Sequence, residues 1–274
     1  MTQTLSIGPL MVPYALLLAL LAYFLAMSVG KRTGRRAGVN VEPLLFRILL
    51  AGAVAARLAF VVQFHDAYLK APLDILDIRD GGWTPLAGLA VAAAYAMVVG
   101  LRRGVLRIPV ASAIGTAAAV WMLGTTVMGA LDNAGRMPAL SVLAVDGKSV
   151  TLTDFRGKPT VVNLWATWCP PCRREMPVLH QAQTERADVN FVFLNQGESA
   201  HKVQSWLAAQ NLPLRNVLLD ARGEAGIQLG QRGLPTTLFY DAQGRLVDTR
   251  VGELSHATLA QRVAAISSPA TPQR

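Results

Sequence analysis

The chain has 274 residues, 52% of them hydrophobic and 16% charged, with a mean hydropathy of +0.35, whereas an average globular chain carries about 25% charged residues. That composition excludes a disordered chain and argues against a wholly soluble one, and the length calls for at least two domains. The net charge of +9 is uneven, with 11 Lys and Arg against 5 Asp and Glu up to residue 130 and 15 against 12 beyond it, and a basic excess beside apolar segments points to membrane topology before nucleic acid.

Four apolar stretches come first, at residues 8–29, 43–64, 83–101 and 108–131. Each approaches or exceeds the roughly 20 residues that a helix needs to cross the hydrocarbon core. They predict a four-helix membrane anchor over residues 1–131. A cleaved secretory leader is disfavoured because the basic cluster follows the first stretch instead of preceding it. Loop charge sets the orientation. Lys31, Arg32, Arg35 and Arg36 follow the first stretch, and Arg102, Arg103 and Arg107 follow the third. Asp66, Asp74, Asp77 and Asp80 outnumber Lys70 and Arg79 after the second. Basic loops stay cytoplasmic, so the N-terminus is expected outside and the chain beyond Asn133 in an extracytoplasmic space, the periplasm of a Gram-negative bacterium. Arg57 falls inside the second stretch, where a charge is costly and usually functional. The alternatives for it are pairing with a loop aspartate and snorkelling to the interface.

Residues 132–139, rich in Asp, Asn, Gly and Pro, read as a linker. Alternation through Val142 and Ala144, the pair Asp146-Gly147, then Val150 and Leu152 predicts a hairpin with a two-residue turn. Thr160 to Trp165 and Asn190 to Leu194 read as buried strands, Pro171 to about Ala187 as the helix between them. A helix over Ser199 to Gln210 and a short strand over Asn216 to Leu219 follow. Thr236 to Tyr240 and Arg245 to Val251 form a second hairpin, and a helix from Ser255 to Ile266 closes the unit. This is an α/β domain over residues 140–266, with a frayed tail at 267–274.

The two cysteines of the chain are Cys169 and Cys172, in Trp168-Cys169-Pro170-Pro171-Cys172. A strand is expected to end at Trp165, and Cys169 lies where the next helix begins. Unpaired N–H groups and the positive end of the helix dipole favour a thiolate there, so Cys169 should be the more acidic and more exposed thiol. Two prolines fit the first helical turn because their missing N–H groups would have no partner. Cys172, one turn on, is placed to attack a mixed disulfide formed by Cys169. A zinc site would need four ligands, with only His180 nearby, and a purely structural disulfide would close too short a loop to constrain the unfolded chain much. The motif points to thiol–disulfide exchange without a metal or cofactor.

The run Asn163-Leu164-Trp165-Ala166-Thr167-Trp168-Cys169-Pro170-Pro171-Cys172-Arg173-Arg174-Glu175-Met176-Pro177 resembles the TlpA/ResA family of bacterial thiol–disulfide oxidoreductases. The likeness continues through Leu152 to Pro159, Asn195-Gln196-Gly197-Glu198-Ser199 and Gly233-Leu234-Pro235-Thr236-Thr237. It implies a thioredoxin-like fold, a redox-active Cys169–Cys172 disulfide, and a cis Pro235 lying against the cysteines. It also implies that Trp168, Leu234 and Pro235 meet the substrate. The family further places a carboxylate at Glu175. On a helix that residue shares a face with Cys172, so it is expected to modulate the titration of the pair, the alternative being a solvated surface carboxylate. Protein disulfides, for example those of apocytochrome c, are the implied clients. No further cysteine is present in the apolar half, so a DsbD/CcdA-like transmembrane electron donor is implied as a partner.

A second resemblance concerns the first half. Ile7-Gly8-Pro9-Leu10, Ala56-Arg57-Leu58 and Ile78-Arg79-Asp80-Gly81-Gly82-Trp83 are similar to the amino-terminal part of prolipoprotein diacylglyceryl transferase. The family's histidine falls on Leu86, so the likeness implies the ancestry of an anchor rather than lipid transfer. The rival readings are a disulfide-forming oxidase and a protein that binds or modifies membrane lipid with a redox sensor domain. Arg173 and Arg174 either steer acidic clients or form an ordinary solvated face.

Overall fold

Pro13 decides where the first helix begins. The computed structural model describes all residues except 1–3, 8–9, 71, 77–79, 132–134, 230, 232 and 268–274. Two short strands, β1 (Thr4–Ile7) and β2 (Leu10–Pro13), pair with each other. Helix α1 runs from Tyr14 to Arg36, later at both ends than the apolar stretch. Proline has no N–H to donate and disfavours the helical conformation of the residue before it, so the helix winds only after it. At the far end Lys31, Arg32, Arg35 and Arg36 belong to the last turns of α1 rather than to a loop. Lys and Arg are good helix formers, and cations suit a helix C-terminus.

Helix α2 spans Glu42–Gln63, and an unexpected short helix α3, His65–Lys70, follows it. Then come α4 (Pro85–Arg102) and α5 (Arg107–Leu131). Four of the helical segments are long and apolar enough to cross a membrane. They leave large apolar side chains such as Phe24, Leu58, Leu86 and Met122 uncovered. The contacts between them use small residues. A Cβ on Gly88 of α4 would stand 2.7 Å from the Gly52 carbonyl of α2. Thr33 of α1 and Ser112 of α5 share a hydroxyl hydrogen bond of 3.0 Å. Close backbone approach and interhelical hydrogen bonding are how helices associate in lipid.

Arg57 is buried and paired. Its Nη1 lies 3.0 Å from Asp80 Oδ1 and donates to the Gly82 carbonyl at 2.8 Å. Nε and Nη2 donate to the Ile75 carbonyl, and the Tyr68 hydroxyl donates to Asp80 Oδ2 at 3.3 Å. The rings of Phe60 and Tyr68 flank the guanidinium. Of the alternatives for Arg57, the structure shows the pairing with a loop aspartate. Of the other charged positions of this loop, Asp77 and Arg79 lie outside the described residues, as do Gly8 and Pro9 of the amino-terminal motif. Removing one partner of a buried pair strands a charge at a cost of about 3–5 kcal/mol. Asp80→Leu and Arg57→Met should therefore each lower the thermal midpoint of the detergent-solubilised protein more than the double variant does.

The second compact unit, which begins near residue 133, holds a seven-stranded sheet. Its strands are β3 (Ser141–Ala144), β4 (Ser149–Thr151), β5 (Thr160–Trp165), β6 (Asn190–Gln196), β7 (Val217–Asp220), β8 (Thr236–Tyr240) and β9 (Leu246–Val251), in the order β4-β3-β7-β6-β5-β8-β9. The central β5, β6 and β7 are parallel, while β3, β8 and β9 run antiparallel to their neighbours. Helices α6 (Pro170–Glu185), α7 (Ala200–Ala209), α8 (Glu224–Gln228) and α9 (His256–Ser267) complete it. Every residue of β5 is buried, the mark of a strand covered on both faces. One core joins Trp165, Phe191, Phe193 and Phe239 to Met176 and Leu179 of α6 and Leu259 and Val263 of α9. The other joins Leu152, Leu164, Leu194, Leu238 and Tyr240.

Local differences from the sequence reading have local causes. Four residues, Val145 to Lys148, separate β3 from β4 where a two-residue turn was expected: Ala144 N–H donates to the Lys148 carbonyl, and Gly147 N–H, at φ +86°, donates to the Ala144 carbonyl. Glycine supplies the positive φ that this hairpin type demands. Leu152 leaves the strand to start a 3-10 turn, Leu152–Phe155, closed by a reciprocal Thr151–Asp154 capping box. Ser267 belongs to α9, its hydroxyl donating to the Val263 carbonyl; the rest of the expected tail lies outside the described residues.

Candidate active site

Three residues separate the end of β5 from Cys169. Cys169 N–H donates to the Ala166 carbonyl at 3.2 Å, closing a tight turn. Cys169 is the N-cap of α6, with Pro170 and Pro171 in the first helical turn. Its sulfur accepts from the Cys172 N–H at 3.3 Å, so one of the unpaired amides of the helix start faces the atom expected to carry negative charge. The two cysteines are joined as a disulfide with Cα atoms 5.3 Å apart. Cys169 is only 3% exposed and Cys172 fully buried. Cys169 is the less buried of the two by this small margin, and in the disulfide both residues belong to the apolar cluster with Trp165, Ala166 and Met176. Trp168, 63% exposed, and Pro170 are the exposed residues flanking Cys169.

The Leu234–Pro235 peptide bond is cis. Thr236 pairs with Leu164 across β8 and β5, which brings the Gly233–Pro235 loop to the sheet end where β5 leads into the cysteine turn. Leu234 packs on the cluster that contains both cysteines. The Pro235 carbonyl accepts from Gly252 N–H at 2.9 Å.

Glu175 is fully buried, so it is not a solvated carboxylate. Its Oε1 accepts from Asn163 Nδ2 at 2.8 Å and its Oε2 from Leu254 N–H at 3.1 Å. Burial pushes its carboxyl up to about 8, against the two hydrogen bonds, with Glu253 adding to the rise and Arg250 opposing it. These partners, rather than either sulfur, hold the carboxyl. Arg174, its neighbour on α6, forms a forked pair with Glu253 at 2.6–3.1 Å.

A second carboxylate escaped the sequence reading. Glu198, just after β6, accepts from Thr167 N–H at 2.7 Å, Thr167 Oγ1 at 2.6 Å and Asn195 Nδ2 at 2.9 Å, and meets Lys202 Nζ at 2.7 Å. Burial acts to raise it, but the Lys202, Thr167 and Asn195 contacts together outweigh burial and bring it down to about 2. Asn163 and Asn195 were the available signal, because a buried polar side chain in an apolar central strand must find a partner.

A cysteine pair at the start of a helix that follows the central strand of such a sheet, facing a loop with a cis proline, defines a thioredoxin-fold dithiol–disulfide protein. The redoxin family model matches residues 133–265, and that of prolipoprotein diacylglyceryl transferase matches residues 3–133. The chain is 37% identical over 129 residues to the thiol:disulfide interchange protein DsbE of Pseudomonas fluorescens biotype C, spanning 47% of this chain and 71% of that one. It is 30% identical over 118 residues to the thiol-disulfide oxidoreductase ResA of Bacillus thuringiensis subsp. konkukian, spanning 42% of this chain and 68% of that one. A solved thiol:disulfide interchange protein of the thioredoxin family from Chlorobium tepidum TLS overlays 50% of this chain and 99% of its own, with a TM-score of 0.44 and 28% identity. Through residues 133–265 the chain belongs to the DsbE/ResA family of thioredoxin-like thiol–disulfide oxidoreductases, and its amino-terminal region is similar to prolipoprotein diacylglyceryl transferase.

Proposed function

We propose that the protein is anchored in the bacterial cytoplasmic membrane by α1, α2, α4 and α5 and reduces protein disulfides on the periplasmic side. In the reduced enzyme the Cys169 thiolate attacks one sulfur of a client disulfide, and the other client sulfur leaves as a thiolate and takes up a proton. Cys172, deprotonated, then attacks Cys169 and expels the second client thiolate. The client disulfide ends as two thiols, and two electrons leave Cys169 and Cys172 as their disulfide forms. Trp168, Leu234 and Pro235 form the surface against which the client lies. The observation that carries this reading is Cys169 at the N-cap of α6 with Cys172 inside the first turn, its amide directed at the Cys169 sulfur.

Clients of the apocytochrome c kind suit the reductase direction. Recharging then needs a DsbD/CcdA-like membrane dithiol protein, because Cys169 and Cys172 are the only cysteines of this chain. An oxidase working in the reverse direction is the second reading within the class. A lipid-modifying role finds less support, since Arg57 is engaged by Asp80, Gly82 and Ile75. The direct assay is dithiothreitol-driven reduction of insulin by the full chain in detergent, which should be rapid for the wild type and absent for Cys169→Ala. Orientation has its own test. Basic residues cluster at the end of α1 and around the α4–α5 connection, so alkaline phosphatase fused after Gly135 should be active, and a reporter that works only in the cytoplasm should be silent there. The reverse pattern would remove the proposed compartment.

A further inference from the structure

We propose that Glu198 is a positioning residue for Cys169, fixing the turn that delivers the attacking sulfur; the proposal rests on the exchange reading above. Thr167 lies inside the turn that Cys169 N–H closes onto Ala166. That segment belongs to neither strand nor helix, so neither β5 nor α6 holds it by regular hydrogen bonding. Glu198 holds it instead, taking both the Thr167 backbone N–H and its hydroxyl. With Asn195 and Lys202 the carboxylate receives four donors, which matches the roughly four lone-pair directions it offers. Charge-assisted contacts of this kind are short and directional. Burying a carboxylate is costly even when it is paired, so a mere loop fastening would be served as well by a neutral side chain.

The way Glu198 reaches the sulfur is geometric. Lys202 balances its charge at 2.7 Å, which leaves little direct field at the cysteines. What the turn preserves is the aim of the Cys172 amide at Cys169 Sγ. A loosened turn would lose that hydrogen bond to the thiolate, and the Cys169 thiol would move back toward the free value near 8.5. A direct charge effect has the opposite sign, because deleting a carboxylate makes a nearby thiol more acidic.

The sign decides between them. In the full chain carrying Cys172→Ala, Cys169 is the sole thiol, and its alkylation rate against pH reports its titration. Glu198→Ala should move the midpoint up by about one unit and slow alkylation about tenfold at mildly acidic pH. Thr167→Val, which keeps the backbone contact and loses the hydroxyl, should move it in the same direction by less. Lys202→Ala, which leaves both Thr167 contacts in place, should move it little, whereas a direct field would raise it. A midpoint that stays or falls in a folded Glu198→Ala protein overturns the proposal. If that variant does not fold, an unchanged midpoint in Thr167→Val overturns it instead. Insulin reduction by the protein with both cysteines keeps the two readings apart. An inactive wild type removes the exchange reading, whereas an active wild type with an unshifted Glu198 variant removes only the role of Glu198.

Discussion

Replacing Cys172 with Ala should leave Cys169 covalently attached to its clients. Exchange passes through a mixed disulfide, and Cys169, at the N-cap with an amide directed at its sulfur, is the thiol placed to form it. Cys172 is fully buried beneath the first helical turn and can reach Cys169 but not a client. Membranes from cells making Cys172→Ala should therefore show high-mass bands that dithiothreitol dissolves, while Cys169→Ala should show few or none. Insulin reduction should fall to background in both. Mass spectrometry of the bands identifies the partners: apocytochromes c would support the proposed clients, and a polytopic dithiol protein would be the electron donor. Trapping by Cys169→Ala instead would reverse the order of attack.

Glu175 should make stability fall as pH rises. Its carboxyl is pushed from 4.5 up to about 8 by burial, so between those values the native state keeps a proton that the unfolded chain has released. Stability rises with pH only where the unfolded state binds more protons; here the native state binds more, and the slope is negative. At about 1.4 kcal/mol for each pKa unit, the loss approaches about 5 kcal/mol above pH 8. Glu175→Gln has no proton to lose, but its amide nitrogen cannot accept from Leu254 N–H as Oε2 does, a cost of about 1–3 kcal/mol. Urea unfolding of the full chain in detergent should thus find the Gln variant weaker at pH 5 and stronger at pH 9. Parallel pH profiles for the two proteins would show that Glu175 does not titrate in this range.

The long regular features were legible because each carries its period in its own residues. The second to fourth apolar spans, the strand over Thr160–Trp165 and the helix after Cys169 all lie close to where the residues put them, whereas α1 begins and ends later than its apolar stretch. Shorter ones were not: α3 and α8 are only about one to two turns long, too short for a periodicity to show. Lys31 to Arg36 read as a loop because charge ends an apolar run, although it does not end a helix. The cysteines, and the cis peptide that the family likeness implied at Pro235, were found where expected. Glu175 was placed on the correct helix face, but its burial depends on Asn163 and on Leu254, 79 positions away. The contact of Glu198 with Thr167, 31 positions apart, likewise arises only when β6 is laid beside β5. Spacing along one helix reveals a shared face, and only the fold reveals what covers it.

The reduction potential of the Cys169–Cys172 pair tests the direction of the chemistry most directly. Equilibrating the full chain in detergent with dithiothreitol or glutathione couples, then counting free thiols, gives it without knowledge of any client. A protein disulfide reductase should sit near the thioredoxin value of about −270 mV. A value near the about −120 mV of the strong oxidant DsbA would contradict the account and make the protein a donor of disulfides.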